Sequence, residues 1–143
     1  MEKLMVCAED GFLPQYAHEG DAGLDLRSTA QVFMPASGRA TVGTGVMVSI
    51  PDGFVGLVFP RSGLACKQGI RLANCVGVID SGYRGEILVT LVNDSDVTGH
   101  LVCRGDRIAQ LVVMPYARCE VVQADSLDDT ERGEDGYGST GVK

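Results

Sequence analysis

Asp80 stands in the stretch NCVGVIDSGYRGEI, after an apolar run and directly before a glycine turn. A carboxylate at the mouth of a β-hairpin, held against a partly apolar wall, has the character of a general base. Tyr83 offers a ring to stack on a sugar or base. Asn74 offers a donor and an acceptor together, the pair that reading a nucleobase edge requires. The same residues also compose an ordinary Asp-Ser-Gly turn with a packed tyrosine.

Three further stretches carry groups suited to anions or a cation. In VFPRSGLACKQG, Pro60 ends a strand, Ser62 caps a short helix and Gly63 admits a ligand close to the backbone. With Arg61 beside them, free helix-start N–H groups and a hydroxyl suit a phosphate, and equally an ordinary cap with a surface arginine. AHEGDAGLDLRS places Asp21 and Asp25 around a glycine pair, with Asp25 on the strand face opposite Leu24 and Leu26. Such carboxylates suit Mg²⁺, directly or through its waters, or form a solvated acidic turn. GDRIAQLVV sets Gln110 in an apolar strand, where an amide without partners costs roughly 1–3 kcal/mol. Backbone or a ligand phosphate must therefore bond it, while Arg107 pairs with a carboxylate.

The C-terminal RGEDGYGSTGVK combines Arg132 and Tyr137 with Gly138, Ser139 and Thr140. Its spacing approaches a Walker phosphate loop, but the lysine is missing and no helix-forming stretch follows. Glycine and acid content favour a solvated tail. Arg and Tyr within it also fit a flap that orders over an anionic, aromatic ligand.

These groups need positions, and the elements that supply them read as strands. Short β-branched stretches dominate: QVFMP, ATVGTGVMVSI, GFVGLVF, EILVTLV, RIAQLVVMPY and CEVVQA. PASG, IPDG, IDSGYRG and VNDSD punctuate them. Ile87, Val89 and Leu91 alternate with Leu88, Thr90 and Val92, so this strand expects cover on both faces, as in a barrel, a sandwich or a subunit interface. One short helix runs from Ser62 to a stop at Gly69. The expected division is a β domain over 1–122 and a flexible arm over 123–143.

At 143 residues, with 45% apolar residues and 19 glycines, the chain holds one domain with many tight turns. A net charge of −7 argues against general nucleic-acid or anionic-membrane binding. A polyanionic ligand would need a few placed cations and a divalent metal. No apolar run reaches membrane-spanning length and the N-terminus lacks signal-peptide architecture, so a cytoplasmic location is expected. Cys7, Cys66, Cys75, Cys103 and Cys119 show no metal-ligand spacing and read as small reduced core residues. His18 and His100 stand apart in sequence.

AHEGDAGLDLRS, PRSGLA, GVIDSGYRGEI, GDRIAQLVV and RGEDGYGSTG resemble, in order, the five motifs of the trimeric dUTPases, from about Ala17 to Gly141. The resemblance implies an all-β, distorted jelly-roll barrel with one short helix and a C-terminal arm, assembled as a homotrimer with sites between subunits. The implied reaction is Mg²⁺-dependent hydrolysis of dUTP to dUMP and pyrophosphate, which limits uracil in DNA and supplies dUMP for dTMP synthesis. Asp80 would activate the water that attacks the α-phosphorus, and Asp25 would hold the metal's water shell. Arg61, Ser62, Gly63 and Gln110 would contact phosphates. Asn74 and the backbone at Val78, Ile79 and Leu88 would read uracil, with Tyr83 under the deoxyribose. From the arm, Arg132 would meet the γ-phosphate, Tyr137 would stack on uracil, and Gly138, Ser139 and Thr140 would wrap the phosphates.

The chain departs from the family pattern at the arm, where Asp135 replaces a glycine and Tyr137 a phenylalanine. Tyrosine keeps the stacking face, whereas Asp135 adds negative charge and removes backbone freedom. Gly82 stands where many members have aspartate. The ID-x-G pattern is also similar to the related dCTP deaminases, which carry RSSLA where this chain has RSGLA and typically lack the arm. A dUTP-sensing regulatory protein is the alternative outside enzymes.

Overall fold

The alternation of apolar side chains dictates which face of each strand turns inward. Along β4 (Arg39–Ser49) Val42, Val46 and Val48 are buried, and along β8 (Glu86–Asn93) Ile87, Val89 and Leu91. The computed structural model describes residues 3–131, 133 and 134. Before β4 come β1 (Met5–Ala8), β2 (Leu24–Arg27) and β3 (Val32–Met34). After it come β5 (Phe54–Pro60), the helix α1 (Ser62–Gln68), β6 (Ile70–Leu72) and β7 (Gly77–Ile79). Beyond β8 lie β9 (His100–Val102) and β10 (Arg107–Pro115).

The strands form two four-stranded antiparallel sheets, ordered β1-β4-β8-β6 and β2-β10-β5-β7, with β3 and β9 as a separate ribbon. Both sheets supply the core: Val58, Leu26, Ala109 and Leu111 from one, Val42, Val89, Leu91 and Ile70 from the other. The expected all-β character and single short helix are present. The barrel is not closed: among the described residues no strand pair joins one four-stranded sheet to the other, so the sheets stack with free edges. No described helix is long and apolar enough to cross a membrane.

The stretch ATVGTGVMVSI is one strand interrupted by a bulge. Its register against β8 runs from Gly43 opposite Leu88 to Met47 opposite Glu86, leaving extra residues on β4. Gly45 takes φ +66 there, a left-handed conformation that glycine adopts without penalty. Thr44, fully buried, donates its hydroxyl to Ile87 O at 2.7 Å, and Gly45 N–H donates to Glu86 Oε1 at 2.8 Å.

Three other expectations are corrected. CEVVQA forms no strand: it pairs with no described strand, and Val121 is 95% exposed. All five cysteines are exposed rather than in the core, Cys7 because it falls on the outward face of β1 and the rest because they lie in α1 or in loops. The hairpin expected around Asp80 is absent as well: β7 pairs with β5 and β8 with β4 and β6, so the Asp80 turn crosses from one sheet to the other.

Candidate active site

That crossing opens a cavity of about 540 Å³ between β7 and β8. Asn74, Val78, Ile79, Asp80, Tyr83 and Leu88 all line it, together with Val58, Leu72, Glu86 and Thr90. Val78 and Leu88 present apolar side chains to it, 62% and 59% exposed. Apolar surface of this kind beside a few polar groups is the ordinary make-up of a small-molecule pocket. Asp80 O accepts the Tyr83 N–H at 3.0 Å, closing the turn, and the Tyr83 hydroxyl donates to Glu86 O at 2.9 Å. Asp80 is exposed, and among the described residues nothing bonds its carboxylate, which leaves both oxygens for a water.

A second cavity of about 510 Å³ is polar and lined by His18, Asp21, Asp25, Arg61, Ser62, Gly63, Arg107 and Gln110. Asp25 is its hub, with a side chain only 12% exposed: Arg61 Nε lies 3.0 Å from Oδ1 and Arg107 Nη1 3.2 Å from Oδ2. The pairing expected of Arg107 is thus with Asp25. Arg61 Nη1 donates to Arg107 O at 3.5 Å, and the rest of its five-donor fork remains for an anion. Asp21 Oδ2 accepts the His18 N–H at 2.9 Å.

Position 107 reaches this cavity because β10 is bulged. Residues three apart on a regular strand face opposite ways. The register slips between Arg107 and Ala109, and Ile108 and Ala109 are both buried, so the extra residue turns Arg107 and Gln110 to the same side. Gln110 sits directly across from Asp25 and donates from Nε2 to Pro60 O at 3.0 Å, the backbone partner its burial demanded. A side chain on Gly23 would begin 2.4 Å from Gln110 Oε1, so this glycine makes the seat for the amide.

Ser62 does not cap α1. Arg61 holds the cap position with extended backbone, φ −93 and ψ 128, and Ser62 is the first helical residue, its side chain making no cap bond. The hydroxyl is exposed on the cavity wall, and nothing lies within 4 Å of where a Gly63 side chain would start. Gly69 ends the helix at φ +66, donating its N–H to Ala65 O and Leu64 O.

The two cavities share no residue. Asn74, Val78, Ile79, Asp80, Tyr83 and Leu88 gather in one, and Asp25, Arg61, Ser62, Gly63 and Gln110 in the other. Arg132, Tyr137, Gly138, Ser139 and Thr140 lie outside the described residues. Sequence reasoning passed over Glu86 and Gly23, whose parts depend on a bulge and on a close approach that no local pattern announces.

The dUTPase family profile matches residues 9–141. The chain belongs to the dUTPase family. The deoxyuridine 5'-triphosphate nucleotidohydrolase of Cutibacterium acnes is 52% identical over 130 residues, covering 91% of this chain and 86% of the relative. The dUTPase of Staphylococcus bacteriophage 80alpha, solved with dUpNHpp, superposes with a TM-score of 0.91 at 31% identity, over 99% of this chain and 100% of that one. A variant dUTPase from phage phi11 of S. aureus, described with a structural Mg(II) ion, superposes at 0.80 with 27% identity, over 87% and 98%. This dUTPase-family chain is accordingly an enzyme, a dUTP diphosphatase that hydrolyses dUTP. The comparisons favour that reaction over dCTP deamination.

Proposed function

We propose that the deoxyuridine moiety of dUTP occupies the Asp80 cavity while its phosphates meet the cavity built around Asp25. Asp80 accepts a proton from a water whose oxygen bonds to the α-phosphorus. The bond from that phosphorus to the oxygen bridging it to the β-phosphorus breaks, releasing pyrophosphate and leaving dUMP. The observation that carries this reading is the Asp80 carboxylate, unengaged by described residues at the rim of a nucleoside-sized cavity.

In the same reading Asn74 and the backbone at Val78, Ile79 and Leu88 read uracil, and Tyr83 packs beneath the deoxyribose, leaving no room for a 2′-hydroxyl. Arg61, Ser62, Gly63 and Gln110 hold phosphate oxygens. The residues present fit Mg²⁺ as an ion held mainly by substrate phosphates and water: among the described residues no three His, Cys, Asp or Glu side chains converge, and both oxygens of Asp25 are engaged by arginine. Asp25 would touch such an ion through its waters, where the ion supplies charge neutralisation to the triphosphate.

As the resemblance to the trimeric dUTPases implies, we assign the complete site to a homotrimer whose neighbouring subunits supply the two cavities, which have no lining residue in common. Residues 123–143 form the arm that closes over it, Arg132 on the γ-phosphate, Tyr137 on uracil and Gly138, Ser139 and Thr140 around the phosphates. Cytoplasmic dUTP removal of this kind limits uracil in DNA and supplies dUMP for dTMP synthesis.

Asp80→Asn removes the base and keeps the side chain's shape. The variant should bind dUpNHpp as the wild type does, by calorimetry, while turnover of dUTP falls at least about 10²-fold, the usual worth of a general base. Near-normal turnover would remove Asp80 from that role.

A further inference from the structure

The ring of Tyr83 lies across the backbone of Gly85. A Cβ on residue 85 would fall 2.4 Å from the Tyr83 hydroxyl oxygen, 2.7 Å from Cζ and 3.1 Å from Cε2, well inside the roughly 3.5–4.0 Å of a comfortable carbon contact. Moving the ring aside would cost it a hydrogen bond. Its hydroxyl is bonded to Glu86 O at 2.9 Å, and its N–H to Asp80 O at 3.0 Å, so the residue is fastened at both ends of the turn that carries Asp80.

Gly85 is outside the left-handed region that Gly45 and Gly69 occupy, so backbone conformation does not demand glycine at 85. Space does. Gly82 in the same turn is the contrast: nothing lies within 4 Å of where its side chain would begin. A methyl group at 85 would push the ring off Gly85 and away from its bond to Glu86 O, moving a wall of the cavity that Tyr83 lines.

We infer that Gly85 is a positioning residue for sugar selectivity: by having no side chain it lets Tyr83 lie flat enough to admit deoxyribose and reject ribose. This inference rests on the placement of Tyr83 beneath the sugar proposed above, and the two can fail separately. The test is kcat/KM for dUTP and for UTP in the wild type, Gly85→Ala, Tyr83→Ala and the double variant, with Gly82→Ala as the open-space control. Gly85→Ala should raise KM for dUTP more than it lowers kcat, and should cut the preference for dUTP over UTP roughly tenfold or more. The double variant should match Tyr83→Ala alone, because without the ring an alanine at 85 displaces nothing.

If Tyr83→Ala loses the preference while Gly85→Ala keeps it, the Gly85 inference is overturned and the Tyr83 reading stands. If Tyr83→Ala keeps the preference, both are overturned. Should Gly85→Ala fail to fold, the double variant decides: a folded double with the selectivity of Tyr83→Ala supports the ring clash, and an unfolded one overturns it.

Discussion

Thr44 shows how much of this molecule depends on single side chains placed where the strands deviate from regularity. It is fully buried in the β4 bulge and donates to Ile87 O at 2.7 Å, while Val46 N–H donates back to its hydroxyl at 3.3 Å. Thr44→Val preserves shape but leaves a buried carbonyl without its donor, a loss of about 1–3 kcal/mol. A thermal melt followed by circular dichroism should shift down by several degrees with the fold retained; an unchanged midpoint would mean that the bulge does not depend on this bond. Asp25 works by the same economy of placement, since one carboxylate orients both Arg61 and Arg107. The residue types at these positions were legible from sequence, as was the need of Gln110 for a partner. Which partner each would find was not, because the partners sit across a strand pair or beyond a bulge.

At the scale of elements, the strands β3, β4, β5, β8 and β10 and the helix α1 follow from local pattern, with the Gly69 stop where composition places it. Three kinds of feature escaped that pattern. The bulge between Arg107 and Ala109 is invisible in a sequence whose apolar run is continuous. The stretches on either side of Asp80 look like the arms of a hairpin, yet long-range pairing sends them to different sheets and so creates the cavity proposed for the nucleoside. CEVVQA has the β-branched content of a strand and pairs with no described strand. Its exposure bears on the arm. Among the described residues every buried apolar one lies at or before Leu111, and residues 116–131 are exposed and carry no strand. A chain ending before Arg132 should therefore keep the far-ultraviolet spectrum and melting behaviour of the full chain while losing most dUTP turnover. Full turnover in that truncation would refute a catalytic arm.

For the whole molecule the governing tension is electrostatic. A chain of net charge −7 handles a substrate that carries a triphosphate. Arg61 and Arg107 are gathered on the cavity proposed for the phosphates, with Mg²⁺ proposed to neutralise the rest. The cavity proposed for the nucleoside by contrast is lined largely by apolar side chains with the carboxylates of Asp80 and Glu86, an arrangement suited to reading a base and activating a water. The central claim, hydrolysis of dUTP between its α- and β-phosphates with selection for both uracil and deoxyribose, is tested most directly by offering purified protein and Mg²⁺ dUTP, dCTP, dTTP and UTP separately and measuring pyrophosphate, nucleoside monophosphate and ammonia. The expected result is pyrophosphate and dUMP in equal amounts from dUTP, with little from the other three and no ammonia. Ammonia from dCTP, or comparable pyrophosphate from UTP, would contradict it.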